Sequence, residues 1–399
     1  MSPLDDEESS PLKVNDLTER IEEDMHAPAT KENAATEKPN ALSVPQLLVL
    51  IISAVLLGFL GTNGYFNIKQ DRSDGKQVVI HSKGAQEDPN DHRPWPRLAW
   101  LMSFPNSGTS FTLYAVREMT QMCTATNYGT EWKDKNGNSV ALSDDHPEGP
   151  FLIDGEEMAA PKGDMYVLTK THCGGRCTTC GPDAYVEDLY SFRRRCRMGF
   201  VAVYNNETKK SERFDTIMDY ERISKIVHIL RDPFDNVVSR FHLEKKKNYT
   251  DITNIPPTKK GFRDFCAHQI DRKFLGKERY HKIWDPKIWD LLQKVPCHSD
   301  FYRWVMWHNM AFALTGDMGI PSYIIHYENY TKSFDEVLFG LLDFLKADFT
   351  GKMPEFIQGK VYRNFFSKEN IKNVGLAAKE LALPVTWEHI RHYFDDDGL

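Results

Sequence analysis

The sequence predicts an α/β fold in which a central parallel sheet is flanked by helices. Short apolar runs that suit buried strands alternate with segments of helical apolar spacing, and this alternation is typical of a parallel sheet. Two of the strand candidates end in turns whose residues suit anion binding, and each turn leads into a helix. The strand candidates are 97–104, 165–170, 225–230 and 322–326, and the helix candidates are 111–122, 235–247, 300–314 and 334–345.

The composition is that of a globular protein with a large core. The chain has 399 residues, of which 41% are apolar and 12% aromatic, and its net charge is −7. Residues 1–42 contain four basic and eleven acidic residues. The whole surplus of negative charge therefore lies in this segment, and the rest of the chain has 46 basic and 46 acidic residues. This balance gives no electrostatic support to nucleic-acid binding, and we expect no nucleic-acid partner.

The N-terminal part of the chain predicts a membrane anchor. Residues 1–40 are acidic and free of aromatic side chains, which predicts a disordered cytosolic tail. Residues 42–61 form an uncharged apolar run of about the 20 residues that cross a bilayer, and we interpret them as a transmembrane signal-anchor. The polar residues 62–92 suit a stem, which leaves 93–399 as the folded domain.

The orientation of this anchor rests on two opposing signals. Basic residues at positions 69–76 follow the span closely, and by the positive-inside rule they favour a cytosolic domain. Three glycosylation sequons, which begin at Asn206, Asn248 and Asn329, follow the span and are usable only in a lumenal domain. We expect a single-pass type II protein of the Golgi or another secretory-pathway membrane, with its catalytic domain lumenal.

The first turn, Pro105–Ser110, lies between a strand and a helix candidate. Backbone N–H groups and the positive end of the helix converge on an anion in this geometry. A nucleotide triphosphatase loop would carry a Lys after its second Gly, whereas no Lys follows Gly108, so ATP or GTP hydrolysis is disfavoured. The hydroxyl-rich turn suits a 5′-phosphosulfate; the alternative is a Ser-Gly-Thr turn that caps a helix without a ligand.

The second turn begins at Arg231, where another strand candidate ends. Ser239 follows eight residues later, two turns into a helix, so both side chains could reach one phosphate at the sheet edge. The alternative is structural: Asp232 caps the helix, Pro233 occupies its first position and Arg231 pairs with a carboxylate.

Together the two turns resemble the sulfotransferase family that uses 3′-phosphoadenosine-5′-phosphosulfate (PAPS), which has a P-loop-NTPase-like fold. The resemblance implies that the first turn binds the 5′-phosphosulfate and that Arg231 and Ser239 bind the 3′-phosphate. Asn106 stands where the family has a Lys, and Phe111 stands where it has an adenine-packing Trp. The implied 5′-side residues are Asn106, Ser107, Gly108, Thr109, Ser110 and Phe111.

Two further segments are similar to family motifs, and the resemblance spans roughly 97–345. Residues 168–172 resemble a Lys-Thr-His motif, which implies His172 as general base, and we expect its pKa near 6.5. Lys170 could replace the missing loop Lys as charge stabiliser. Residues 326–328 resemble a Tyr-Glu-Asp segment, which implies Tyr327 in the cofactor site. Golgi members use a carboxylate base instead, for which Glu131 is the candidate. The family's C-terminal Arg-Lys-Gly clamp has no counterpart here.

Four of the seven cysteines cluster at Cys173, Cys177, Cys180 and Cys196. They suit either a zinc site, in which His172 would be a ligand, or two disulfides. An oxidising lumen favours disulfides, so we expect no metal. Since seven is odd, at least one cysteine stays unpaired within a monomer.

These observations predict a sulfotransferase that moves the sulfuryl group of PAPS to a hydroxyl of a glycan or glycoprotein. Tyrosyl-protein and small-molecule acceptors are alternatives, as is a non-catalytic membrane protein that binds glycans or nucleotides with the same fold. The basic runs at 193–197 and 245–247 could border an anionic substrate channel, or they could be solvated faces.

Overall fold

The structure of the chain is a computed structural model. It describes residues 79–80, 96–128, 151–153, 156–158, 165–175, 188–205, 207–246, 254–271, 285–359 and 361–394. The predicted tail and membrane span lie outside these residues. Among the residues that are described, no helix is long and apolar enough to cross a membrane.

The strands of the described residues form one large sheet and two hairpins. The large sheet has the spatial order β1-β10-β9-β2-β6-β3, in which all neighbours are parallel except β1, which pairs antiparallel with β10. The strands are β1 (Val79–Ile80), β2 (Leu98–Ser103), β3 (Ala125–Thr126), β4 (Phe151–Ile153), β5 (Glu156–Met158), β6 (Val167–Thr171), β7 (Met198–Asn205), β8 (Lys210–Ile217), β9 (Ile223–Leu230) and β10 (Ser322–His326). The five parallel strands confirm the predicted α/β sheet.

Helices follow the parallel strands, as the alternating pattern predicts. They are α1 (Thr109–Thr120), α2 (Leu189–Arg197), α3 (Pro233–Lys246), α4 (Lys259–Phe265), α5 (Pro286–Leu292), α6 (His298–Met318), α7 (Asn329–Lys332), α8 (Phe334–Leu345), α9 (Lys368–Leu381) and α10 (Pro384–Ile390). Short 3₁₀ turns at Tyr220–Arg222, Arg363–Phe365 and Arg391–Tyr393 complete the described helical segments, together with a π-helical turn at Cys266–Ile270.

Both faces of the sheet are covered, because side chains alternate along each strand. On β2, Trp100 and Met102 pack with α3 and α6 on one face, whereas Ala99 and Leu101 pack with α1 and α8 on the other. All six residues of β2 are buried. The continuous apolar run of β2 therefore belongs to a central strand, and the loop that follows it is held on a rigid support.

Val79–Ile80 extends the sheet beyond the predicted start of the folded domain. The two residues belong to the segment predicted as a stem, yet they pair with Tyr323 and Ser322 of β10. The sheet of the described residues thus includes an antiparallel strand that lies upstream of position 93.

Candidate functional site

Four neighbouring strands of the sheet carry the predicted site residues at their carboxyl ends. In spatial order β10 leads to Tyr327, β9 to Arg231, β2 to the loop 104–108, and β6 to His172. Because parallel strands end at the same edge of a sheet, segments as far apart in the sequence as residues 104 and 327 meet here. The edge at which these four strands end is the candidate site.

The loop between β2 and α1 has a backbone that favours its particular residues. Asn106 and Gly108 have positive φ angles of 67° and 101°, a conformation that Asn tolerates and Gly adopts freely. A Cβ atom at Gly108 would lie 2.6 Å from Cδ2 of Tyr327, so the aromatic ring packs directly on the glycine. Any larger residue at position 108 would therefore push Tyr327 away.

The start of α1 has features that suit an anion. Gly108 is its N-cap, no side chain caps the helix there, and no acidic residue lies in the first turn. The first N–H groups of a helix lack intrahelical partners and carry partial positive charge. Ser107 and Thr109 add buried hydroxyl groups, and the Thr109 hydroxyl is hydrogen-bonded to that of Ser103. The loop can thus offer an anion neutral donors from backbone and side chain.

Phe111 lies one turn into α1, half-buried in an aromatic cluster. Its ring centroid is 4.9 Å from that of Phe356 and 5.0 Å from that of Tyr330. The Tyr330 hydroxyl is in turn 2.7 Å from Oγ1 of Thr112, which fixes this cluster to α1. Such a cluster beside the loop offers apolar faces to a planar ring. Ser110 is half-buried next to Phe111.

Arg231 joins the two predicted phosphate turns. Its Nη1 donates to the backbone oxygen of Asn106 at 2.7 Å and to Oγ of Ser239 at 3.4 Å, and its guanidinium lies 4.5 Å from the ring centroid of Tyr327. Its Nε–H is buried and has no hydrogen-bond partner among the described residues. A buried donor of this kind costs free energy unless a ligand or water satisfies it, so Arg231 fits an anionic ligand.

Carboxylates lie directly behind Arg231. Asp232 accepts hydrogen bonds from the backbone N–H groups of Phe234 and Asp235, so the predicted helix cap is present as well. Glu328 accepts from the N–H of Asp232 at 2.9 Å and from the Tyr393 hydroxyl at 3.1 Å. Burial, followed by the charges of Asp235 and Glu328, raises the pKa of Asp232 to about 7. Burial also raises the pKa of Glu328.

The C-terminal segment completes this side of the site, which the sequence had left unassigned. Arg363 donates to Asp232 at 3.4 Å, and the backbone N–H of Tyr362 donates to Oδ1 of Asp235 at 2.6 Å. A Cβ atom at Gly359 would lie 3.2 Å from Oη of Tyr327 and 3.5 Å from Nη2 of Arg231. No motif in the sequence signals these contacts, because those with Arg231, Asp232 and Asp235 join residues more than 100 positions apart.

His172 and Lys170 lie at the end of β6 and are each only 2% exposed. Nδ1 of His172 is 2.9 Å from the backbone oxygen of Ser103. A carbonyl only accepts hydrogen bonds, so Nδ1 carries the hydrogen and Nε2 is left as the basic nitrogen. Burial, followed by the charge of Lys170, lowers the pKa of His172 to about 3, which corrects the expected value near 6.5.

The backbone of His172 is held by residues for which the sequence predicts no role in the site. Its N–H donates to the Tyr128 hydroxyl at 3.0 Å, and its carbonyl accepts from Nε1 of Trp307 at 2.9 Å and from the N–H of Gly175 at 2.7 Å. Trp307 is a core residue of α6, so the position of His172 is set by the core. The helical spacing of the aromatic residues in α6 shows that they are buried but not that one of them supports the site.

The described residues contain two disulfides, one of which uses two members of the four-cysteine cluster considered above. Cys173 is bonded to Cys196, which ties the end of β6 to α2, and Cys266 is bonded to Cys297. The four-cysteine zinc ligand set is therefore wrong, and His172 faces Ser103 instead of a metal. Cys177 and Cys180 lie outside the described residues, within which no cluster of His, Cys, Asp or Glu is arranged to hold a metal ion. Burial raises the pKa of the Cys123 thiol to about 11.

Some of the remaining predicted features lie outside the described residues, and others make contacts within the protein. Glu131, Asn206 and Asn248 lie outside the described residues, and Asn329 is half-buried at the start of α7. In the basic runs, Arg193 pairs with Asp317, and the side chain of Lys245 donates to the backbone oxygen of Ile255. These contacts favour a structural role for Arg193 and Lys245.

No protein-family model matches this chain, and no curated protein matches it.

Proposed function

We propose that this protein is a PAPS-dependent sulfotransferase that transfers a sulfuryl group to a hydroxyl of a carbohydrate acceptor. The observation that carries the proposal is the meeting of the loop after β2, the Arg231–Ser239 pair after β9 and the Lys170–His172 pair after β6 at one sheet edge. A neutral N–H cradle beside an Arg with a spare buried donor suits a ligand with two separate phosphate groups.

In this proposal each group has a distinct role in holding the co-substrate. The loop 106–110 binds the 5′-phosphosulfate through backbone N–H groups and hydroxyls. Arg231 and Ser239 bind the 3′-phosphate, and Tyr327 packs between the glycine of the loop and the guanidinium. Phe111 offers its aromatic face to the adenine in place of the Trp of the family.

PAPS supplies an activated sulfuryl group, and the chain's own residues handle the proton and the charge. Nε2 of His172 accepts the proton of the acceptor hydroxyl, because Nδ1 is already committed to the carbonyl of Ser103. The acceptor oxygen bonds to sulfur as the sulfur–oxygen bond to the 5′-phosphate breaks. Lys170 and the loop N–H groups stabilise the negative charge that develops on that phosphate. The carboxylate of Glu131 is the rival base.

The two disulfides support a lumenal location for the domain, since disulfides persist in oxidising compartments. We therefore propose a type II protein of the Golgi or another secretory membrane, anchored by residues 42–61. In sealed vesicles that contain the full chain, added protease should spare the folded domain and should degrade it once detergent is present. Loss of the domain without detergent would reverse the orientation.

Transfer itself is tested by incubating the full chain in detergent with sulfur-labelled PAPS and a panel of glycans, tyrosyl peptides and small hydroxyl compounds. Label in a glycan supports the proposal, and label only in a peptide or small molecule would change the acceptor class. The second candidate is a non-catalytic binding protein of the same fold, which the absence of a loop cation at Asn106 favours. Tight binding of adenosine 3′,5′-bisphosphate together with no labelled product from any acceptor would favour that candidate.

A further inference from the structure

Asn236, in the first turns of α3, connects the two phosphate turns from beneath. Its side chain is completely buried, and Nδ2 donates to the backbone oxygen of Pro105 at 2.9 Å and to Oγ of Ser107 at 3.2 Å. Its Oδ1 accepts from Nη2 of Arg240 at 3.3 Å. Helix α3, which follows the turn at Arg231, is thus hydrogen-bonded to the loop Pro105–Ser110 of the first turn.

The direction of this chain of hydrogen bonds follows from the chemistry of its members. Arg240 only donates, so the atom of Asn236 that faces it must be the oxygen. The amide nitrogen then faces the loop, where the Pro105 carbonyl can only accept. A flipped amide would place two acceptors together at Pro105 and two donors together at Arg240.

The hydroxyl of Ser107 is affected in turn. Because its oxygen accepts from Asn236, its hydrogen remains free to be donated elsewhere. Ser107 is completely buried at the base of the loop, where a donor is useful only to a ligand or to a neighbouring acceptor. Arg240 is itself 3% exposed, with its guanidinium 5.1 Å from the ring centroid of Phe104, so the relay is held in place by packing.

We propose that Asn236, oriented by Arg240, is a positioning residue that makes the Ser107 hydroxyl a hydrogen-bond donor to the 5′-phosphate group of the nucleotide. The inference rests on the proposed function and adds to it Asn236, which lies between Arg231 and Ser239 and for which the sequence predicts no role. It also explains how a loop without a Lys can be ordered for anion binding, since the cation that orients it is Arg240 on the neighbouring helix.

The test compares two ligands, adenosine 3′,5′-bisphosphate and adenosine 3′-phosphate, by calorimetry on the full chain in detergent. The two ligands differ only in the 5′-phosphate, so the affinity for the bisphosphate divided by the affinity for the 3′-phosphate reports the contacts to that group alone. Asn236→Asp keeps the shape of the side chain but replaces the donor Nδ2 with a carboxylate oxygen, which accepts the hydrogen of the Ser107 hydroxyl. That hydroxyl can then no longer donate to the 5′-phosphate, so the ratio of affinities should fall about ten-fold or more. Ser107→Ala should lower the ratio similarly, and the double variant should fall no further than Ser107→Ala alone, because both changes remove the same donor.

Asn309→Asp is the matched control. Asn309 is buried in α6, where Nδ2 donates to the Leu381 carbonyl at 2.8 Å and Oδ1 accepts from the N–H of Leu383 at 2.9 Å. This substitution places the same carboxylate in a similar setting away from the site, and it should leave the ligand ratio unchanged even where it lowers the melting temperature.

The outcomes separate this inference from the function on which it rests. A wild-type protein that binds both ligands equally would remove the proposed 5′-phosphate site. A wild-type protein that prefers the bisphosphate, with a folded Asn236→Asp variant of unchanged ratio, would overturn the role of Asn236 alone. If Asn236→Asp does not fold, Arg240→Lys, which can still donate, should keep the ratio, whereas Arg240→Met should lower it. Equal ratios for these two variants would also overturn the inference.

Discussion

Two strand–turn–helix units of the same shape, β2 to α1 and β9 to α3, stand side by side in the sheet and differ in charge. Residues 103–111 of the first contain no ionisable side chain. The second places Arg231, Asp232 and Asp235 within five positions. In the proposed function, the first unit would bind an anion through backbone geometry, and the second through a cation set among carboxylates. We therefore expect anion binding at the first unit to depend on the shape of its backbone, and anion binding at the second unit to depend on charge and pH.

The two units also differ in their distance from the proposed chemistry. The first is bonded to His172 through the carbonyl of Ser103, whereas the second meets the C-terminal segment through Asp232 and Asp235. Changes beside the first unit should thus affect turnover, and changes in the second should affect nucleotide affinity.

The largest expected effect is that of His172→Ala on turnover. Loss of a general base lowers kcat by about 10² to 10⁴, while the affinity for adenosine 3′,5′-bisphosphate should change little. Because burial lowers the pKa of His172 to about 3, the proposed activity of the wild-type protein should persist well below pH 6. Initial rates from pH 4 to 8 provide the measurement. A folded variant with near-normal turnover, beside an inactive Glu131→Gln variant, would move the role of base to the carboxylate.

Arg231→Ala should produce the next largest effect, and on affinity instead of turnover. The loss of one charge-assisted contact should weaken the binding of adenosine 3′,5′-bisphosphate by about 1.5–3 kcal/mol. It should weaken the binding of adenosine 5′-phosphate far less, because that nucleotide has no 3′-phosphate. Calorimetry with both nucleotides measures the difference. Arg213→Ala, which removes an exposed cation from β8, is the control and should change neither affinity. An equal loss for both nucleotides would mean that Arg231 serves the fold alone.

Gly108→Ala tests the claim that the first unit depends on shape. A left-handed backbone costs a non-glycine residue about 1–2 kcal/mol, and here the new methyl group would also displace Tyr327. Gly319→Ala is the control, because Gly319 has a φ of 60° but no atom lies within 4 Å of its built Cβ. Both variants should lower the melting temperature, and only Gly108→Ala should lower nucleotide affinity. Unchanged affinity in Gly108→Ala would show that the loop tolerates another shape.

The smallest expected effect concerns the pH dependence of the second unit. The pKa of Asp232 is raised to about 7 in the folded protein, so between about pH 4 and 7 the folded state binds a proton that the unfolded state has lost. Its contribution to stability is therefore present at low pH and is lost as the pH rises through 7. Asp232→Asn should gain in free energy of unfolding, relative to the wild type, by roughly 1 kcal/mol between pH 6 and pH 7. Denaturant unfolding at both pH values measures this gain, and a constant difference between the two proteins would contradict the shifted pKa.

Buried histidines oppose this trend and must be considered in the same experiment. Burial lowers the pKa of His228 to about 3 and that of His308 to about 4. The unfolded chain binds protons at these residues below about pH 6.5 while the folded protein does not, so their contribution to stability is lost as the pH falls. The comparison of Asp232→Asn with the wild type at each pH removes this shared background.

The sequence alone determined the elements that depend on local pattern. The predicted ranges 322–326 and 334–345 are those of β10 and α8, and the other predicted strands and helices agree to within a few residues. Both phosphate turns are visible in the sequence as well, because a turn between a strand and a helix involves residues that are neighbours in the chain. Periodicity and turn chemistry act over such short distances.

Only the tertiary structure decided which distant residues meet. The pairing of Cys173 with Cys196, the contact of Arg363 with Asp232 and the hydrogen bonds of Asn236 depend on the order of strands in the sheet, which no local pattern encodes. The pKa of His172 belongs to the same class, since it is set by burial against Ser103 and by the charge of Lys170. Desolvation and charge act through space, and the space around each residue exists only once the chain has folded.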